Sequence, residues 1–146
     1  MSIWDKGLVD TQTNNEYPVS LPGTYQFEVM NSIAKEYNPK PGGKIEKCAQ
    51  LNIRLRVEGL DENGKAIDVT VFDNLFSAES TSWKMVAFAK AIGIYHPGMT
   101  PKELHDNCVG EIGTVDIKVG KDLKGFKRNE VVAYIPKKVE NEELPF

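Results

Sequence analysis

Apolar and polar residues alternate along several short stretches of the chain, and a period of two predicts strands. In GTYQFEVM (23–30), Tyr25, Phe27 and Val29 share one face, with Gln26 and Glu28 on the other. QLNIRLRV (50–57) alternates more cleanly: Leu51, Ile53, Leu55 and Val57 oppose Gln50, Asn52, Arg54 and Arg56. LDENGK (60–65) supplies an Asn-Gly turn. Asp61 and Glu62 open like a calcium loop, but no spaced ligand series follows them. The return stretch KAIDVTVF (65–72) turns Ile67, Val69 and Val71 inward and Asp68, Thr70 and Phe72 outward.

The period then changes. STSWKMVAFAKAIG (80–93) carries Met85, Phe88, Ala89 and Ile92 at helical spacing, with Ser80 or Ser82 as cap and Gly93 as the stop. Trp83 lies off that stripe, open to either packing or exposure. TPKEL (100–104) predicts a second short helix, with Thr100 as cap, Pro101 in the first turn and Glu103 closing a capping box. GTVDIKV (113–119), with Val115, Ile117 and Val119 inward, and NEVVAYI (129–135) read as the last two strands.

Three strands, a helix and two strands is the order of an OB-fold. A β-sandwich needs about seven strands and has no natural place for the helix. The expected fold is therefore mainly β: a five-stranded OB-fold Greek-key barrel with a helix between strands 3 and 4. A polar N-terminal arm (1–20), tacked down by Ile3, Trp4 and Leu8, precedes the domain (21–138), and a disordered acidic C-terminal tail (139–146) follows it.

Composition narrows the function. No secretory leader or membrane-spanning run is expected, and two isolated cysteines, Cys48 and Cys108, suit free thiols in a reducing cytosol rather than a zinc site or disulfide. His96 and His105 are equally isolated, and no GxSxG, HExxH, P-loop or dinucleotide fingerprint occurs. The expectation is a protein that is not an enzyme and uses no cofactor or metal. The 21 acidic side chains exceed the 18 Lys and Arg by three, and three of those acids are Glu140, Glu142 and Glu143. Asp5, Asp10 and Glu16 outweigh Lys6 near the start, so residues 17–139 carry about +2.

That positive charge is concentrated between strands. AKEYNPKPGGKIEK (34–47) interleaves Lys35, Lys40, Lys44 and Lys47 with Tyr37. GKDLKGFKRN (120–129) carries Lys121, Lys124, Phe126, Lys127 and Arg128. In an OB-fold these two loops flank the face of strands 2 and 3, whose outward side chains here include Asn52, Arg54, Arg56, Thr70 and Phe72. Cations follow a phosphate backbone and rings stack on bases, so the pattern fits single-strand binding. Each element also has a plainer reading. Loop lysines are commonly just solvated, Tyr37 packs on a proline, Phe126 closes the barrel end, Phe72 tucks under the helix, and Arg54 and Arg56 pair with Asp68. Tyr134 reads as core.

The chain is similar to phage-encoded single-stranded DNA-binding proteins of OB-fold type over roughly residues 21–136. The similarity rests on LPGTYQFEV, AQLNIRLRVEG, VTVFDNLF, AFAKAIGI and KGFKRNEVVAYIPK. It implies non-specific or cooperative binding of single-stranded DNA in phage replication, recombination or repair, in the cytoplasm of a bacterial host cell. Homo-oligomerisation is left open, and the other expected role is a protein-binding adaptor or structural phage protein.

ENEELPF (140–146) resembles the acidic tip of bacterial single-stranded DNA-binding proteins, with Leu144 where isoleucine is commoner. That resemblance implies docking onto replication or recombination proteins: Phe146 fills an apolar pocket, Pro145 limits the conformations lost on binding, and Glu142 and Glu143 steer toward a basic rim. The competing reading folds Leu144 and Phe146 back onto the barrel.

Overall fold

The computed structural model describes residues 18–137. The arm up to residue 17 and the segment 138–146, with the expected acidic tail, lie outside the described residues. Five strands form one antiparallel sheet: β1 (Gly23–Tyr37), β2 (Cys48–Leu60), β3 (Ala66–Phe76), β4 (Ile112–Lys121) and β5 (Lys127–Ile135). Their order across the sheet is β3-β2-β1-β4-β5. Two helices, α1 (Ser82–Ala91) and α2 (Pro101–Asn107), lie between β3 and β4 in the sequence. No hydrogen-bonded ladder joins the outer strands β3 and β5, so the sheet is open where a closed barrel was expected.

The alternation in the sequence sets the two faces. Phe27 and Val29 of β1, Leu51, Ile53, Leu55 and Val57 of β2, Val69, Val71 and Leu75 of β3, and Val115 and Ile117 of β4 are all buried. Each such side chain contributes about 1.5–3 kcal/mol relative to exposure. Helix α1 covers this face with its apolar stripe, Met85, Phe88, Ala89 and Ile92. Phe27, Phe88 and Tyr134 meet ring to ring, with centroids 5.2–6.4 Å apart. Gly113 lets α1 and β1 approach β4, because a Cβ there would lie 2.7 Å from the Ala91 carbonyl oxygen and 2.8 Å from Phe27 Cζ.

Several boundaries differ from expectation. Helix α1 is capped at Thr81, not at Ser80 or Ser82, and without a side-chain cap bond. It stops at Gly93 in the left-handed region, φ 77°, as its sequence suggests. Thr100 Oγ1 accepts the Glu103 amide at 3.2 Å. The Glu103 carboxylate does not close the expected box; it bonds the His96 ring instead. Val119 lies on the same side of β4 as Val115 and Ile117 but is 37% exposed rather than buried. The reason is that β4 runs past the start of β1, whose Gly23 is already opposite Ile117. Strand β1 continues to Tyr37, beyond the expected end at Met30, because an extra residue between Val29 and Asn31 shifts the phase and the strand keeps pairing with β2.

Side chains link the two outer strands across the open edge. Asp73 stands on the buried face of β3, opposite Ile53. Its carboxylate accepts from Tyr134 Oη of β5 at 2.6 Å and from Lys84 Nζ of α1 at 2.7 Å. At the other end of the sheet, Asn129 of β5 accepts the Ser20 amide at 2.8 Å and donates to the Ser20 carbonyl at 3.0 Å.

Candidate nucleic-acid interface

Cross-strand register fixes which polar side chains share the outer face of β1, β2 and β3. Arg54 lies opposite Phe72 on β3 and Asn31 on β1. Asn52 lies opposite Asn74 and Ile33, and Gln50 opposite Phe76 and Lys35. Phe72 is 71% exposed and Ile33 50%. Tyr37, at the end of β1, packs edge-on against Phe76 at 5.2 Å. Gln50 Nε2 donates to Asn52 Oδ1 at 2.7 Å. None of these positions carries a carboxylate, and Arg54 has no acidic partner among the described residues. This half of the face is apolar, amide-bearing and cationic.

The other half is different. Arg56, two residues along β2, is held by Glu28 at 3.0 Å, Asp68 at 3.3 Å and Glu58 at 3.8 Å. The hydrogen bond to Glu28, followed by the attraction of Asp68, raises the guanidinium pKa above its ordinary value. Three carboxylates around one cation leave a local excess of negative charge, so this end of the face repels phosphate. The expected pairing with Asp68 therefore holds for Arg56 and not for Arg54.

The remaining candidates fall in two places. Lys35 and Tyr37 belong to β1 rather than to a loop, because the strand is longer than its alternation suggested. Lys40 and Lys44 are exposed in the 38–47 connection. Lys47 is spent on Glu36 at 2.7 Å, a contact that raises the ammonium pKa. Lys121, Lys127 and Arg128 are strand residues too; the connection between β4 and β5 is only the tight turn 122–126. The Asp122 carboxylate holds that turn by accepting the amides of Lys124 and Phe126, both at 2.9 Å. Phe126 is half-buried, and Arg128 is paired with Glu130 at 3.2 Å.

The two basic segments lie at opposite ends of β1. The 38–47 connection leaves from Tyr37, whereas β4 reaches the turn 122–126 only after passing Gly23. Sequence reasoning missed Asn31, Ile33, Asn74 and Phe76, and the register of a longer β1 is the signal that finds them. Glu142, Glu143, Leu144, Pro145 and Phe146 lie outside the described residues.

Other features lie off this face. A cavity of about 160 Å³ between the helices is lined by Met85, Val86, Ala89, Tyr95, Met99 and Leu104, among others. Cys108 is buried, which pushes its thiol pKa up, and Cys48 is half-buried; both are free. Among the described residues no group of His, Cys, Asp and Glu could hold a metal ion, and no helix is long and apolar enough to cross a membrane. No protein-family model matches the chain, and a search of curated proteins finds no match either.

Proposed function

We propose that the protein binds single-stranded DNA without sequence specificity, on the outer face of β1, β2 and β3, and that its fold is of the OB type. The observation that carries the proposal is the Arg54–Phe72 cross-strand pair, a cation with no acidic partner among the described residues beside a ring that is 71% exposed. Leaving Phe72 in water costs apolar burial, and a stacked base recovers it while Arg54 meets the adjoining phosphate. Asn31 lies beside the pair and Asn52 and Asn74 on the next rung as donors, Lys35 stands one rung further along, and Ile33 extends the apolar floor. Strand count, antiparallel order and the Asp73–Tyr134 link between the outer strands support the OB-type reading.

The setting is phage replication, recombination or repair, as the sequence resemblance implies. In this reading ENEELPF recruits replication or recombination proteins.

The test is titration of a labelled oligo-dT over a salt series. Affinity is expected to fall with salt, log K changing by about −0.7 per phosphate neutralised. Binding to duplex as tight as to single strand would overturn the proposal, since stacking requires unpaired bases. A protein partner retained after nuclease treatment, from a chain that does not bind oligo-dT, would favour the adaptor reading.

A further inference from the structure

We propose that the cavity between the two helices is the seat of the chain's own segment 140–146, with the Phe146 ring inside it and the glutamates against Lys90. The cavity holds about 160 Å³. A space of roughly 150 Å³ accepts one benzene ring, so this one suits a single aromatic side chain. Its walls are apolar: Met85, Val86 and Ala89 of α1, Leu104 of α2, and Tyr95 and Met99 between them. No charged side chain lines it, and its two methionines can adapt to an entering ring. Tyr95, at the rim, is 37% exposed.

The course of the chain selects the occupant. Lys137 donates its amide to the Lys90 carbonyl at 3.1 Å, at the C-terminal end of α1. The Lys90 ammonium lies 5.3 Å from the centre of the Tyr95 ring. Residue 138 therefore follows from a point beside the cavity rim. From Lys137 to Phe146 an extended chain reaches up to about 30 Å, roughly twice the length of α1. The arm before residue 18 starts elsewhere. Ser20 is held by Asn129, and Leu21 by Leu60 at the end of β2 that pairs with Ala66. Ser77, on the cavity wall, follows the far end of β3.

Charge agrees with this course. Lys84 is held by Asp73 and Lys102 by Asp106, whereas Lys90 and Lys137 have no carboxylate partner among the described residues. Glu140, Glu142 and Glu143 are the acids that the segment brings to them. So seated, Phe146 is withheld from other proteins, and apparent affinity for a partner falls with the fraction of chains left open. That consequence rests on the recruitment reading of ENEELPF; the docking itself does not, nor does it depend on DNA binding by the outer face.

The test is NMR of the full chain with isotope-labelled methionine methyl groups. Met85 and Met99 line the cavity, while Met30 of β1 does not and serves as control. The Phe146 ring current is expected to displace the Met85 and Met99 signals of the wild type from their positions in F146A and in a chain lacking 140–146, with Met30 unmoved. K90E is expected to move both signals part of the way to those positions. A synthetic ENEELPF peptide should restore the wild-type positions in the deleted chain. It should bind the full chain about tenfold more weakly, the factor for a cavity occupied in roughly nine chains of ten. Identical Met85 and Met99 signals in wild type, F146A and the deleted chain would overturn the docking, and so would equal peptide affinity for the full and deleted chains. Displacements that fade on dilution would place the segment on a second copy and overturn docking within one chain.

Discussion

Tyr134 of β5 donates its hydroxyl hydrogen to Asp73 of β3 at 2.6 Å, joining two strands that share no ladder. The same carboxylate takes Lys84 of α1, so three elements meet on one inward-facing acid. Tyr134→Phe removes one bond to a charged acceptor and is expected to cost about 1–2 kcal/mol. Asp73→Ala leaves both Lys84 and the hydroxyl without their partner and should cost more, about 2–3 kcal/mol. Urea melts of the two variants measure both.

The same bond sets a pH dependence. Burial, then the neighbouring Asp73 charge, holds the Tyr134 pKa well above 10. The folded state therefore keeps a proton that the unfolded chain releases near pH 10. Stability from this group is complete below that value and is lost as pH rises toward the folded pKa. Melts from pH 8 to 11 should fall more steeply for the wild type than for Tyr134→Phe.

On the outer face, Arg54 and Arg56 are expected to part company. Phe72→Ala should weaken oligo-dT binding by about 1–3 kcal/mol, roughly 5- to 150-fold, with little change in melting temperature. Arg54→Ala should weaken it too and reduce the salt slope by about 0.7. Arg56→Ala should leave affinity within about twofold, since its charge is already held by Glu28, Asp68 and Glu58. Equal losses for the two arginines would contradict the division of the face.

Gly113→Ala tests packing independently of binding. Its Cβ would press on the Ala91 carbonyl and the Phe27 ring. A loss of about 1–3 kcal/mol in urea melts is expected, with unchanged oligo-dT affinity at temperatures where the variant is folded.

Deleting 140–146 removes three glutamates, so oligo-dT affinity should stay the same or rise while capture of partner proteins is lost. A large drop in affinity for the deleted chain would refute that role for the segment.

The buried stripes were legible because burial and period coincide: Leu51 to Val57, and Met85 to Ile92, are inward as their spacing indicates. The second half of β1 was not. After the bulge at Met30 its outward positions include Ile33 and its other side includes Glu36, so apolarity no longer marks a face. Asp73 was hidden for the opposite reason. A carboxylate among inward positions makes sense only with Lys84 and Tyr134, which are 11 and 61 residues away along the chain. The outer face was half legible, since its residues were named but the carboxylates claiming Arg56 come from three strands.

The long β1 serves two neighbours along its first half and one along its second. Pairing with β4 ends at Glu28, and from Asn31 to Tyr37 the only strand the backbone pairs with is β2. Every second backbone amide of this stretch therefore turns away from the ladder. Ser32, which faces the other side of the strand, is held by the His105 ring of α2 at 2.8 Å, so a helix rather than a strand borders this stretch there. Ile33, Lys35 and Tyr37 therefore line the same outer face as Arg54 of β2 and Phe72 of the outer strand β3, on a strand that β2 alone pairs.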